Sequence, residues 1–425
     1  MAKKTTSASG EFSFAAFNDK LSKVPGMHLG SIMAESTFST ITDYIDTGNY
    51  LLNAQISGTM FGGVADARSL GLVGDPETGK TFICLNIVHN AVKSGYHVIW
   101  CDTEGALGND DMKKFKIDTT KVRYEPTKTV EQFKIMMGNV LQMKEDATKA
   151  GQDLKLLIVL DSMGMLNTEK EVGDLADNKS KSDMGIKAKQ LRALFRAITL
   201  DMTGAKIPLV VTNHTTIGGI GSYTGPTKES AGGDGPIFSF SNVLFFSKKV
   251  LNGSNDDLNK TADSKTATGM LLRSKQKKSR SQLKIPITMH VSYQGGMNPF
   301  VGLEEYVSWE ACGIEKGKIM TPKEYEKQNK EGVSFMKPVE NVDKSTGEIT
   351  YTEEEAYFVP SPSGRFCVKH LGKSLAAARY LFTSEVFTQE VLKELDVNVI
   401  QPTFQLPDKE EGAVEDYGFD DEDED

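Results

Sequence analysis

Short apolar runs alternate along this chain with stretches whose apolar residues recur at helical spacing. Leu70–Val73 reads as a strand, and Thr81–Lys93 follows with Ile83, Ile87, Val88 and Ala91 on one helical face. HVIWCD at His97–Asp102 predicts a second strand and Val130–Lys149 a helix. Leu154–Asp161 (LKLLIVLD) is apolar almost throughout, as a strand covered by helices on both faces must be. Gly185–Met202 predicts a helix, Ile207–Asn213 (IPLVVTN) a strand and Asn242–Ser247 (NVLFFS) another. Strands alternating with helices predict an α/β fold around a mostly parallel sheet. Each strand ends in polar residues at its C-terminal edge, where ligands bind in such sheets.

Elsewhere the pattern weakens. Residues 1–27 read as peripheral, His28–Leu52 as a small packing element, and Gly58–Ala67 as a turn-rich approach to the first strand. Two connections, Asn167–Met184 and Thr215–Pro236, exceed the roughly 12–15 residues beyond which a loop in a compact domain is usually functional or disordered. Beyond Val307 a second region begins, with a polar segment at Lys337–Glu355 and a helical stretch near Lys373–Phe382. Pro402 and Pro407 lead into an acidic tail. The expected organisation is an N-terminal segment (1–52), an α/β core (53–307), a smaller C-terminal α+β region (308–405) and a disordered tail (406–425).

Composition adds bounds. At 39% hydrophobic and 25% charged, 425 residues describe a soluble chain with a real core. No apolar run approaches the roughly 18 residues that span a membrane, and the polar N-terminus lacks a signal core, so a cytoplasmic location is expected. Cys84, Cys101, Cys312 and Cys367 form no C-x-x-C pair, which favours buried free thiols over disulfides or a metal site. The formal charge of −9 is concentrated: residues 408–425 carry eleven acids and one lysine, and without them the body stands at +1. A near-neutral body is compatible with nucleic-acid binding.

The candidate chemistry centres on Gly74-Asp75-Pro76-Glu77-Thr78-Gly79-Lys80-Thr81, which fits G-x-x-x-x-G-K-[ST] with a strand before it and a helix after it. A chance match on an ordinary strand–turn–helix is the alternative, and the complete setting weighs against it. Such a loop turns backbone N–H groups toward phosphate oxygens, aided by the helix N-terminus. Lys80 is expected at the β/γ-phosphates and Thr81 at Mg²⁺. Asp161, closing its strand, suits a carboxylate reaching Mg²⁺ through water; a capped turn is the plainer alternative. Glu104 either orients the water attacking a γ-phosphate or is a surface carboxylate. Arg273–Lys284 has six basic residues in twelve and no acid. It reads as a solvated hairpin, a contact to DNA phosphates, or a cation donated to a neighbouring subunit's nucleotide.

Together these residues resemble the RecA-like recombinase family, most closely its phage UvsX-type members, over roughly Gly30–Leu303. Gly48–Gly63 resembles the segment leading from the assembly region into the core. LIVLDSMGML (Leu157–Leu166) resembles the Walker B strand, and Ser182-Asp183-Met184-Gly185 the close of the first DNA-binding loop. VVTNHT (Val210–Thr215) resembles the strand that senses the γ-phosphate, with His where bacterial RecA has Gln. Gly232-Gly233 before Gly235-Pro236 resembles the close of the second DNA-binding loop, and Pro286–Pro299 the last core strands.

The resemblance implies an ATP- and Mg²⁺-dependent recombinase that polymerises as a helical filament on single-stranded DNA and exchanges strands with double-stranded DNA. It makes Glu104 the catalytic carboxylate, His214 the nucleotide sensor, and Lys275 and Lys277 cations reaching the neighbour's ATP. Met184, Arg196, Ile217, Gly232, Gly233, Lys248 and Lys249 become DNA-contacting positions. A single-strand-binding protein, a mediator or a helicase is the implied further partner, inside a bacterial host. Asp111 departs from the family, standing where an adenine-stacking Tyr is usual, and Gly108 replaces a polar neighbour of the adenine. A hexameric helicase on the same core shares the loop, the Glu and the trans cation. The two loop-closing motifs favour the recombinase.

Overall fold

The computed structural model describes residues 13–26, 30–177, 184–218, 227–231, 234–237, 239–252, 267–280, 282–293, 295–307, 315–328, 331–342, 349–361, 366–368, 384 and 387–406. The chain divides into two compact units, one ending at Thr42 and one beginning at Asp43. The first contains α1 (Phe14–Ser22), whose first turn is capped by the Ser13 hydroxyl accepting from the Ala16 N–H at 3.3 Å.

The second unit opens with β1 (Tyr44–Ile45), α2 (Tyr50–Ser57) and β2 (Val64–Ala65). Asn49 caps α2, and Gly58, at φ 82°, ends it in the left-handed region. There follow β3 (Ser69–Gly74), α3 (Lys80–Lys93), β4 (His97–Asp102), α4 (Asn109–Lys114), β5 (Val122–Pro126), α5 (Val130–Lys149) and β6 (Leu156–Asp161). Next are α6 (Glu169–Ala176), α7 (Met184–Ala205), β7 (Leu209–Asn213), β8 (Thr215–Gly218), β9 (Thr227–Ser230) and α8 (Asp234–Ile237). The core closes with β10 (Asn242–Asn252), β11 (Ala267–Lys278), β12 (Ile287–Ser292) and β13 (Gly296–Asn298).

Nine of these strands form one sheet in the order β13-β12-β11-β10-β3-β7-β6-β4-β5. The run from β10 to β5 is parallel throughout, and β11, β12 and β13 are added antiparallel. The expected β4 and α5 match the observed ends, and Leu156–Leu160 of β6 is fully covered, as its unbroken apolar run requires. One face is closed by α3, through Ile83, Ile87, Val88 and Ala91, and the other by α5 and α7, through Phe133, Met137, Leu191 and Phe195. Each fully buried side chain of this size contributes about 1.5–3 kcal/mol over an exposed one.

Both long connections contain regular structure that apolar periodicity does not signal. In the first, Thr168 and Glu171 form a reciprocal capping box that starts α6, so polar side chains nucleate the helix. In the second, the two ends pair as an antiparallel ribbon, Thr215 opposite Ser230 and Gly218 opposite Thr227. Beyond the core, β14 (Glu315–Met320), β15 (Val333–Val342), β16 (Ile349–Pro360) and β17 (Phe366–Val368) form an antiparallel sheet in the order β15-β16-β14-β17. The helix expected near 373–382 lies outside the described residues. Two short helices, Gln389–Leu395 and Gln401–Phe404, bury Leu392, Leu395 and Phe404 in the same cluster as α2 and α3.

Candidate nucleotide site

The carboxyl ends of β3, β7, β6 and β4 converge, and the predicted chemistry converges with them. From β3 the chain turns through 74–79 into α3, with Gly79 at φ 75° as N-cap. Gly74 admits no side chain: a Cβ there would lie 2.6 Å from Thr78 Oγ1 and 2.9 Å from Phe246 O. The Lys80 ammonium curls back over the loop, donating to Gly74 O at 2.9 Å and Asp75 O at 2.8 Å. Burial pushes its pKa down, against the attraction of Asp161, Glu104 and Asp75.

Beside it, Thr81 Oγ1 donates to Asp161 Oδ2 at 2.8 Å, and the Thr212 hydroxyl from β7 holds Oδ1. Burial raises the Asp161 pKa, Thr212 and Thr81 oppose this, and the charges of Glu104 and Asp102 add to it. A buried carboxylate facing a threonine hydroxyl is a hard oxygen donor pair, which fits Mg²⁺. Thr81 and Asp161 are the residues that would hold it.

Glu104 stands on the turn after β4 and is held there by two side chains from neighbouring strand ends. Its Oε1 accepts from Ser162 Oγ at 2.8 Å and lies 3.1 Å from His214 Nε2. Because the partner is a carboxylate, Nε2 carries the proton. Burial pushes the Glu104 carboxyl up, but the His214 and Ser162 hydrogen bonds more than reverse it, leaving it below the ordinary value.

Sequence reasoning missed what aims this turn. Asp102, 5% exposed, accepts from the N–H groups of Glu104 and Gly105 at 2.8 Å, from Leu107 N at 3.2 Å and from Tyr124 OH at 2.9 Å. A carboxylate three residues before a glycine on a strand end is the signal that was available.

The site is tied to the second long loop. Ala231 N donates to His214 O at 2.8 Å, and Asn213 Nδ2 donates to Ala231 O at 2.8 Å and Ser230 Oγ at 2.5 Å. The Thr215 hydroxyl donates to Asp75 of the phosphate loop. At the first loop, Lys187 Nζ donates to Gly164 O at 2.6 Å, tying α7 to the segment after β6.

Other candidates lie further out. On β11, exposed Arg273, Lys275 and Lys277 alternate with buried Leu272, Ser274 and Gln276, so three cations share one face. Lys277 Nζ sits 5.4 Å from the Phe245 ring centroid. Lys248 pairs with Glu77 at 2.8 Å, which sets it beside the phosphate loop, and Lys249 follows it on β10. Arg196 is exposed on α7. Met184 begins α7 and Ile217 lies in β8, while Gly232 and Gly233 lie outside the described residues. Asp111 accepts from Gly108 N and Lys114 Nζ, both at 3.1 Å, and so caps α4. Cys84 and Cys101 are buried free thiols.

A parallel sheet whose strand ends bring a phosphate loop, a Thr–Asp pair and a positioned Glu together defines a P-loop nucleotide-binding protein. The family described as RecA N-terminal domain matches residues 16–267, and the chain belongs to it. Among similar proteins, the "Recombination and repair protein" of Enterobacteria phage T4 is 25% identical over 313 residues, 72% of each chain. Protein RecA of Bdellovibrio bacteriovorus is 26% identical over 240 residues, covering 55% of this chain and 59% of that one. Protein RecA of Fusobacterium nucleatum is 27% identical over 228 residues, 53% of this chain and 55% of that one. The chain therefore spans little more than half the length of these two RecA proteins.

Proposed function

We propose that this protein is an ATP-dependent DNA recombinase that assembles on single-stranded DNA and pairs it with a homologous duplex. The observation that carries the reading is the direct wiring of Glu104 and His214 to the base of the second long loop through Ala231, Asn213 and Ser230. A nucleotide site joined by one strand end to a proposed DNA contact would couple ATP to DNA.

Lys80 and the loop N–H groups bind the phosphates. Thr81 and Asp161 would hold Mg²⁺, which when bound would supply neutralising charge. Glu104, kept ionised by His214 and Ser162, orients water at the γ-phosphate and accepts its proton. Lys275 and Lys277 project from an exposed face, as residues serving a neighbouring subunit's ATP must, and the filament follows from that shared site. Met184, Arg196, Ile217, Gly232, Gly233, Lys248 and Lys249 are the proposed DNA contacts. Among the described residues no helix is long and apolar enough to cross a membrane. The cytoplasm of a bacterial host is the proposed location, with a single-strand-binding protein, mediator or helicase as accessory partner.

Joint-molecule formation between a labelled single strand and homologous duplex tests this. Pairing supported by ATP and by a poorly hydrolysed analogue is expected. No pairing with either, together with ATP-driven strand separation, would identify a helicase instead.

A further inference from the structure

The turn that follows β6 is packed between the two long connections. Ser162, which donates to Glu104, is fully buried, and Thr103 clasps its backbone. Ser162 N donates to Thr103 Oγ1 at 2.7 Å, and the Thr103 hydroxyl donates to Ser162 O at 2.9 Å. Met163, also fully buried, starts the turn Met163–Met165. Gly164 faces the second connection. A Cβ built on it would lie 2.7 Å from Asn213 Oδ1, 3.5 Å from Ala231 Cβ and 3.8 Å from His214 Cδ2. Only a residue without a side chain lets the turn approach Asn213 this closely.

The carbonyl of Gly164 is engaged from the first connection, where Lys187 Nζ donates to it at 2.6 Å. Lys187 is the fourth residue of α7, and a cation in the first turn of a helix works against the helix dipole. Burial lowers its pKa, and the charge of Glu171 on α6 opposes that shift. Two local penalties fall on this lysine, so its acceptor at Gly164 sets its position and helix preference does not. Glu131 on α5 fixes the helices on either side of the first connection. Its Oε2 accepts from Glu169 N at 3.1 Å and its Oε1 from Gln190 Nε2 at 2.9 Å. Both α6 and α7 are thus anchored to one helix, and Lys187 adds an anchor to the nucleotide edge of the sheet.

An unbroken path of bonds therefore leads from Glu104 through Ser162 and Gly164 to Lys187 and α7. It is separate from the link through His214 and Ala231 to the second connection, and Gly164 lies where the two meet. We propose that the Gly164–Lys187 clasp couples the nucleotide site to the first long connection, with Lys187 a positioning residue that makes DNA affinity depend on the bound nucleotide. The inference rests on the recombinase reading above, which supplies the DNA. Any displacement of Ser162 at the nucleotide moves Gly164 O, and the charge-assisted bond draws the first turn of α7 after it.

The test titrates a labelled single-stranded oligonucleotide with the full-length chain, in ADP and in a poorly hydrolysed ATP analogue, each over a salt series. Wild type should bind more tightly with the analogue. In Lys187→Met the ratio of the two affinities should fall about tenfold, a loss within the usual range of coupling between sites. Its DNA-free ATP turnover and nucleotide affinity should match wild type. Lys187→Arg, which keeps a charged donor, should restore most of the ratio. Gly164→Ala should lose it with the lysine intact, because the new Cβ presses on Asn213, and Lys187→Met carries the test if that variant fails to fold. The double variant should lose no more than either single one, since both break one link. An unchanged ratio in Lys187→Met overturns the proposal. So does equal weakening in both nucleotide states with a salt slope reduced by about one, which would make Lys187 a phosphate contact. A wild type whose DNA affinity ignores the nucleotide would defeat the recombinase reading itself, a result distinct from either.

Discussion

His214 Nε2 lies 3.1 Å from Glu104 Oε1, the same oxygen that accepts the Ser162 hydroxyl at 2.8 Å. One carboxylate oxygen is therefore held by two groups from two different strand ends. His214→Ala should lower DNA-stimulated ATP turnover by about 10²-fold, because Glu104 loses a bond that holds it ionised and oriented as the general base, with nucleotide affinity little changed. Steady-state kcat beside a nucleotide titration decides this, and an unchanged kcat would remove His214 from the mechanism.

The same bonds set a pH dependence. Burial raises the Glu104 pKa, and the His214 and Ser162 bonds reverse this to leave it lowered. A depressed carboxylate stabilises the fold above its unfolded pKa, and that contribution is lost as pH falls through the folded value. Ser162→Ala removes a donor and raises the Glu104 pKa, so the acid limb of the pH–rate profile should move to higher pH. An acid limb that stays in place would mean that Glu104 is not the group being titrated.

Lys80, 6% exposed, holds the phosphate loop through Gly74 O and Asp75 O. Lys80→Ala should abolish ATP binding or turnover, read by a fluorescent-nucleotide titration and a phosphate-release assay. Full DNA-stimulated turnover in that variant would refute the assignment of this loop.

Asp102 gathers four donors in a buried turn. Asp102→Ala leaves them without their acceptor and should cost about 2–3 kcal/mol. In a unit of this size that lowers Tm by roughly 2–4 °C, and Asp102→Asn, which keeps one acceptor oxygen, by less. A thermal melt of each variant checks the order.

Lys275 and Lys277 are exposed on β11, and their action across a subunit boundary is testable by mixing. Glu104→Gln and Lys275→Ala/Lys277→Ala should each be nearly inactive alone. Mixed one to one, about a quarter of head-to-tail interfaces pair an intact Glu face with an intact Lys face, and activity should return in that proportion. No recovery would place the lysines in cis.

Much of the core was legible because its signals are local. The apolar run of β6, the helical spacing of α3 and the eight residues 74–81 each lie within a few turns of chain. The weak points follow the same logic. The helix α6 is started by a polar capping box inside a stretch without apolar periodicity, and the β8–β9 ribbon depends on pairing between residues 15 apart, Thr215 with Ser230. Asp102 reads in sequence as the last residue of a strand, and only the closing turn and Tyr124 from β5 reveal it as the anchor for Glu104.

The sequence by itself determined the phosphate loop, the alternation of strand and helix, and the chemical types at each strand end. Only the tertiary structure decided which strand ends meet. Thr81 bonds to Asp161 across 80 residues and Glu104 to His214 across 110. These contacts arise from the order β3-β7-β6-β4. Hydrophobic periodicity sets which face of a strand is buried, but not which strand lies beside it.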